Sequence, residues 1–149
     1  MIKYLLKHKD GIAIMQLIEG DIIEEVIKFE ENTGLDVINI RELNDSDVPT
    51  SREFRDAWDD ITEESKIDIN GYKAKEILLK ELRTTRSIEF EKLDRDFIIA
   101  LDRDDTSKLA EIRIKKEELR NITEPLKNEV VKEVLAEEDI IKLKGLIGK

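Results

Sequence analysis

The chain has 149 residues, of which 42% are charged, with 36 acidic against 26 basic residues and a formal net charge of -10. This balance argues against direct nucleic-acid binding, and the absence of cysteine excludes disulfides, thiolate nucleophiles and zinc–cysteine sites. No apolar run approaches the ~18 residues of a membrane span or forms a secretion signal, so we expect no membrane insertion or targeting segment. The charged, aromatic-poor composition predicts an α-rich protein, and with the mixed N-terminal lobe predicted for residues 1–58 the expected fold class is α+β, helix-dominated.

Residues 1–58 are predicted to form a small mixed N-terminal lobe. The apolar run over residues 11–18 indicates a strand, and the alternation over residues 35–43 indicates a second one. Between them, Asp21 and Gly34 bracket a helical pattern. The two strands would run parallel if they were neighbours in one sheet.

A helix is predicted to begin near Pro49, in the segment that holds the only tryptophan. Thr50 and Glu53 have the spacing of a capping box, and Pro49 can pack on Phe54 as a hydrophobic staple. Trp58 would fall on the same helical face as Phe54. We expect both aromatic side chains to lie in the core.

Two arginines of this segment are the first candidates for contact with a partner. Arg52 and Arg55 stand four residues before Asp56 and Asp59, but in the orientation that opposes the helix dipole, so local helix support explains them incompletely. Arginine and tryptophan are enriched at binding hot spots. Arg52, Arg55 and Trp58 are therefore predicted partner-binding residues.

The second half is predicted to be helical, after a linker or extended segment over residues 59–69. Apolar residues recur at three- and four-residue steps over residues 70–122, with a polar turn near residue 104 that gives an antiparallel helical hairpin. Thr106 or Ser107 is the expected N-cap of its second helix. Arg86 interrupts the apolar seam and marks a kink, a polar contact or the edge of a packing partner, so it is the fourth candidate partner-binding residue.

Residues 123–149 are predicted to form a C-terminal helical tail that starts at Pro125, whose missing N–H is tolerated in a first turn. Its apolar face either docks on the hairpin or binds another chain. Together with the interrupted seam at Arg86, this face favours self-association into a homo-oligomer.

Catalytic chemistry is not expected. The single histidine, His8, cannot form a two-histidine metal site or a His-dependent triad, and is interpreted as a surface residue. Asp102 and Asp104 begin like a calcium loop, but Ser107 occupies the position that requires glycine and Arg113 the position that requires a bidentate carboxylate. We predict no enzyme, no catalytic residue, no cofactor and no metal site.

The order of short motifs over residues 48–125, about half the chain, resembles small tail-region proteins of tailed bacteriophages and prophages. The matching positions are Val48-Pro49, Arg52, Phe54-Arg55, Ala57-Trp58, Ile67-Asp68-Ile69, Ala74-Lys75, Arg83, Arg86, Leu93-Asp94 and Glu118-Leu119-Arg120-Asn121-Ile122, followed by Pro125. The latter half is also similar to the helical C-terminal part of tail-fibre assembly proteins. In this chain, Thr123-Glu124 separates the Leu-Arg-Asn-Ile motif from the proline.

The resemblance implies a non-enzymatic protein that acts through protein–protein contacts, as a tail-fibre assembly chaperone or a minor structural component of the virion. Its implied partners are tail-fibre or baseplate proteins, with no nucleic acid and no membrane. Its implied location is the bacterial host cytoplasm during assembly, or the virion tail. An alternative drawn from the net charge is an acidic DNA mimic that inhibits a host DNA-binding enzyme.

Overall fold

A computed structural model describes residues 1–148, which form two compact units. Unit 1 comprises Met1–Ala74 with Glu133–Leu135, and unit 2 comprises Lys75–Lys132 with residues 136–148. The chain is 53% helical and 17% strand, which confirms the predicted α+β, helix-dominated class. None of the helices within residues 1–148 combines the length and apolar character of a membrane span.

The elements in chain order are β1 (Ile2–His8), β2 (Gly11–Leu17), α1 (Ile22–Thr33), β3 (Asn39–Leu43), β4 (Trp58–Asp59), β5 (Asp68–Ile69), α2 (Gly71–Asp102), α3 (Thr106–Arg120), α4 (Glu124–Lys127) and α5 (Glu137–Gly145). Two short 3₁₀ turns precede β4, at Asp45–Asp47 and Arg55–Ala57.

The sheet of unit 1 has the order β2-β1-β3, and β1 is antiparallel to both of its neighbours. The two predicted strands are present as β2 and β3, but β1 lies between them, so they do not pair. Residues 1–10 gave no strand prediction because Lys3 and Lys7 interrupt the apolar pattern. His8 is the last residue of β1 and is half-buried, and its ring lies 6.3 Å from that of Phe29 in α1.

Local signals define α1 as predicted. The Asp21 side chain accepts a hydrogen bond from the Ile23 N–H at 2.9 Å, which satisfies one of the unpaired donors of the first turn. Gly34 ends the helix in the left-handed conformation with φ 70°, which an L side chain rarely adopts.

The predicted helix at Thr50 is wrong, because this segment contains only the 3₁₀ turn Arg55–Ala57 before β4. The Ser51 hydroxyl accepts the Glu53 N–H at 3.3 Å, which is the donor that a capping box at Thr50 would use. The backbone of Trp58 then pairs with Ile69 in a β-ladder, which a continuing helix would prevent.

The aromatic residues of this segment are buried, as predicted. Trp58 belongs to a core cluster with Leu5, Leu43 and Ile67, so it joins the sheet to the β4–β5 pair within unit 1.

Residues 59–69, predicted as a linker or extended segment, are a structured part of unit 1 that ends in the short strand β5. The Asp68 carboxylate accepts the N–H groups of Ile61 and Thr62 at 2.9 and 2.7 Å, which closes the loop between β4 and β5. Asp60 in the same loop is fully buried and pairs with Arg41 of β3 at 3.1 Å.

Unit 2 contains most of the long helix α2, which runs unbroken through Arg86, and the helix α3. The N-cap of α3 is Asp105, rather than Thr106 or Ser107, and its side chain accepts the Lys108 N–H at 3.0 Å. A buried cluster of Leu93, Ala100 and Ile112 joins the two helices, with partly buried neighbours Phe97, Leu109 and Leu119.

The C-terminal tail is helical only in part. The valine-containing stretch before α5 is not helical, and Val134 forms an isolated antiparallel bridge with Asn70. The Gly71 N–H donates to the Glu133 carbonyl at 2.7 Å and the Leu135 N–H to the Ile69 carbonyl at 3.0 Å, which places residues 133–135 in unit 1. Asp139 lies in the first turn of α5 and accepts the N–H of the preceding Ala136 at 2.9 Å, so the acidic residues Glu137, Glu138 and Asp139 form the start of this helix.

Candidate partner-binding cleft

A cleft of about 400 Å³ lies in unit 1, between the start of β2 and the 3₁₀ turn that precedes β4. Its lining residues are Asp10, Gly11, Ile12, Ala13, Ile14, Arg55, Asp56 and Trp58. Two of the four predicted partner-binding residues, Arg55 and Trp58, therefore share one concave surface.

Buried neighbours fix the position of Arg55. Phe54, Ala57 and Trp58 are all buried, so the turn is anchored on both sides of this residue. The Arg55 N–H donates to the Arg52 carbonyl at 3.1 Å, and the Ala57 N–H to the Phe54 carbonyl at 2.9 Å. The short turn holds its backbone in one conformation while Arg55 remains exposed.

The guanidinium groups of Arg52 and Arg55 are exposed and form no hydrogen bond or ion pair with any of residues 1–148. The ion pairs with Asp56 and Asp59 that a helix would have allowed are not formed, because the backbone is not helical here. Each guanidinium keeps its fork of donors free for an outside carboxylate.

A charged network supports the cleft beside β4. The Lys73 ammonium donates to the Asp10 carbonyl at 2.8 Å and lies 3.6 Å from an Asp59 carboxylate oxygen. Gly11 has φ +140°, and a Cβ there would lie 3.3 Å from the Lys73 Nζ and 3.5 Å from the Trp58 carbonyl. Glycine at this position therefore allows β2 to begin against β4 without strain.

Trp58 is 7% exposed, and its buried indole N–H finds no acceptor within the part of the chain that the structure describes. An unsatisfied buried donor costs roughly 1–3 kcal/mol. Because Trp58 is the only tryptophan and lines the cleft, its fluorescence is a direct reporter of this site.

The other predicted residues lie outside the cleft lining. Arg52 is on the same turn as Arg55, and Arg86 is half-buried in the part of α2 that belongs to unit 2. Sequence reasoning missed the contribution of Asp10 to Ile14. The available signal was the apolar residues Ile2, Tyr4 and Leu6 at every second position before the Lys9-Asp10 turn, which indicates a hairpin partner for β2.

Unit 2 has a groove of its own, of about 510 Å³. Its floor contains Leu93, Leu119 and Ile122, and its charged rim consists of Glu89, Lys92, Asp96, Lys115 and Glu118.

Within residues 1–148, no group of three His, Asp or Glu side chains is placed to hold a metal ion.

Comparison with known proteins gives no relative from which a function could be transferred. The chain matches no protein-family model, no curated protein and no solved structure at a significant level.

Proposed function

We propose that this protein is a non-enzymatic, phage-derived tail protein that binds other tail proteins, as a tail-fibre assembly chaperone or a minor component of the virion. The observation that carries the protein-binding role is the pair of unpartnered, exposed arginines on a turn anchored by buried Phe54 and Trp58, next to a cleft. The order of motifs over residues 48–125 supports the assignment to phage tails.

The chemistry of the cleft defines the kind of surface that it would bind. Arg55 in the cleft lining and the exposed Arg52 outside it offer free guanidinium groups to carboxylates. Ile12, Ile14 and Trp58 of the lining offer apolar surface. A partner that presents an acidic side chain next to an aliphatic or aromatic one would satisfy both features. The anchored turn loses little conformational freedom on binding, which lowers the entropic cost of association.

Co-expression with individual tail-fibre and baseplate chains tests this function. We expect one of these chains to co-purify with the protein and to change the fluorescence of Trp58 on binding. In the variant Arg52→Gln/Arg55→Gln, the dissociation constant should rise by about tenfold or more, because hot-spot arginines contribute over about 1 kcal/mol each.

A matched control removes two exposed arginines from unit 2. Arg95→Gln/Arg103→Gln makes the same change in net charge on side chains that have no ion-pair partner among the described residues. This control should bind like the wild type. Recovery of only free protein from every co-expression, or equal loss of binding in both double variants, would contradict the proposal.

The DNA-mimic alternative has less support from the arrangement of charges. A mimic presents unpaired carboxylates, as the phosphates of DNA do. Here Asp94 pairs with Lys116, and Glu111 pairs with both Lys108 and Lys115. Displacement of DNA from a nuclease by the wild-type protein would favour the mimic over the tail protein.

A further inference from the structure

Asn70 and Gly71, where β5 gives way to α2, form the only asparagine–glycine pair in the sequence. In such a pair the residue after asparagine has no side chain to hinder its backbone nitrogen, and it gives the chain the freedom that ring closure needs. The nitrogen can then attack the side-chain carbonyl carbon of the asparagine. This pair is therefore chemically labile wherever the backbone is free to move.

In the folded unit 1 the Asn70 side chain is held on both of its polar atoms. Its oxygen accepts the N–H groups of Tyr72 and Lys73 at 3.0 and 3.1 Å, so Asn70 caps α2. Its side-chain nitrogen donates to an Asp59 carboxylate oxygen at 3.3 Å. Ring closure requires this side chain to leave the cap.

Residues 133–135 hold the backbone of the same pair. The Gly71 N–H donates to the Glu133 carbonyl at 2.7 Å, and the Leu135 N–H donates to the Ile69 carbonyl at 3.0 Å. Of residues 133–135, Leu135 is buried and Glu133 is exposed. A segment attached by two backbone bonds and one buried side chain can detach without unfolding of the whole unit.

We propose that Asn70–Gly71 is a deamidation site that residues 133–135 protect, and that its modification in the native protein follows their local detachment. The Gly71 nitrogen bonds to the Asn70 Cγ, and the side-chain nitrogen of Asn70 leaves as ammonia with the proton of the Gly71 N–H. Water then opens the five-membered succinimide at one of its two carbonyl carbons. The product is aspartate, or isoaspartate in which the main chain runs through the former side-chain carbon. No oxidant or reductant is consumed.

Both products weaken the return of residues 133–135. In the aspartate product a carboxylate oxygen replaces the donor that faced Asp59, so two negative charges lie side by side. The Asp59 side chain is 16% exposed, and the Lys73 ammonium at 3.6 Å offsets only part of this repulsion. In the isoaspartate product the main chain gains one carbon, which shifts Gly71 out of register with Glu133. Deamidation therefore acts as a one-way release of this segment.

This inference goes beyond the proposed function, because it concerns a covalent change of the chain and depends on no tail protein. Peptide mapping by mass spectrometry measures the loss of Asn70 in the full-length protein. Asn70 should deamidate at least about tenfold more slowly in the native protein than in urea, because the native bonds must open first. Equal rates in the two conditions would overturn the protection.

Gly71→Ala tests the chemistry of the site in the urea-unfolded chain, where no folding defect can interfere. Its Cβ hinders the attacking nitrogen, so it should slow the loss of Asn70 at least about tenfold. An unchanged rate would overturn the assignment of the site.

Two leucine truncations distinguish local detachment from unfolding of unit 1. Leu135→Ala removes the buried anchor of the segment, and Leu43→Ala removes a buried side chain of β3; the two residues are 8% and 5% exposed. In native buffer Leu135→Ala should speed deamidation at least about tenfold, because truncation of a buried leucine shifts an opening equilibrium by at least that factor. Leu43→Ala should leave the rate within about twofold of the wild type. Equal acceleration in both variants, or none in either, would overturn the proposed role of residues 133–135.

Hydrogen exchange of the Leu135 N–H measures whether the product releases the segment. Asn70→Asp makes the first product directly and should lower the protection of this N–H at least about tenfold. Asn70→Ser also loses the donor to Asp59 but remains a good N-cap without a new charge, so it should lower the protection less. Asn70→Asp/Asp59→Asn exchanges donor and acceptor and should restore the protection. Equal protection in Asn70→Asp and Asn70→Ser, or no recovery in the double variant, would contradict the release.

Discussion

The ion pair between Arg41 and Asp60 allows a quantitative test of how unit 1 is stabilised. The two side chains are 3.1 Å apart, the Asp60 side chain is fully buried and that of Arg41 is 19% exposed. At an effective dielectric constant of about 20, their attraction is about 5 kcal/mol before any desolvation cost. Burial costs each ion several kcal/mol, so the intact pair contributes little net stability, whereas loss of one partner leaves an uncompensated charge.

The two single variants should therefore differ. Arg41→Met leaves the carboxylate of Asp60 fully buried and should reduce the free energy of unfolding by about 4–5 kcal/mol, the upper part of the range for such losses. Asp60→Ala leaves a guanidinium that is partly solvated and still donates to the Ser65 carbonyl at 2.6 Å. We expect it to cost about 3 kcal/mol.

The double variant Arg41→Met/Asp60→Leu should recover to within about 1 kcal/mol of the wild type, because well-packed apolar residues can replace a buried ion pair. Urea denaturation followed by Trp58 fluorescence measures these changes, since Trp58 lies in the core of unit 1. With a slope of about 2 kcal/mol per molar urea, a loss of 4 kcal/mol lowers the midpoint by about 2 M. A double variant as unstable as Arg41→Met, or single variants within about 0.5 kcal/mol of the wild type, would refute this reasoning.

Three further predictions concern other parts of the chain. In α3, Ile112 is 1% exposed, whereas Ile114 is 62% exposed. Ile112→Ala should therefore reduce the free energy of unfolding by about 2–5 kcal/mol, and Ile114→Ala by less than about 0.5 kcal/mol. Circular dichroism during urea unfolding measures both changes. Gly34→Ala should destabilise the protein by about 1 kcal/mol, because φ is +70° at this position. Gly145→Ala should stabilise the protein by about 0.5–1 kcal/mol, because this position is helical and the new Cβ would lie in open space. Equal effects of the two variants on thermal unfolding would contradict this prediction. The Ala136 N–H, with help from nearby lysines, lowers the pKa of Asp139 below its usual 3.8. The stability that the Asp139 carboxylate contributes is therefore complete above pH 3.8 and is lost as the pH falls through the lower pKa of the folded state. Carboxyl NMR titration should give a midpoint below 3.8, and one at or above it would disprove the role of this cap.

The parts of the fold that could be predicted from sequence are those whose signals are local. Asp21 and Gly34 mark the ends of α1 because a cap and a left-handed residue act on backbone groups within a few positions. The long helix α2 shows the helical spacing of apolar residues over many turns.

The elements that were missed depend on partners far away in the chain. β1 is stabilised from both sides by β2 and β3, and the extended residues 133–135 pair with residues 69–71. At Trp58 the local helical pattern was overruled by pairing with Ile69 and by the Ser51 hydroxyl. Periodicity within a short window contains no information about such partners.

The candidate site shows the same limit. Arg55 and Trp58 could be selected because an arginine without local explanation and a lone tryptophan are unusual in themselves. The opposite wall of the cleft, from Asp10 to Ile14, depends on the placement of β2 beside β4, which follows from the three-dimensional fold. The composition of the cleft therefore became clear only from the structure.

The return of residues 133–135 to unit 1 affects the order in which the protein can fold during synthesis. The chain leaves unit 1 after Ala74 and completes it only with Leu135, so most of unit 2 is synthesised in between. The bonds from Gly71 to Glu133 and from Leu135 to Ile69 cannot form until that whole insertion has left the ribosome. Unit 2 can begin to fold before residues 133–135 reach unit 1, and a nascent chain stalled before residue 133 would contain an N-terminal lobe without their two backbone hydrogen bonds.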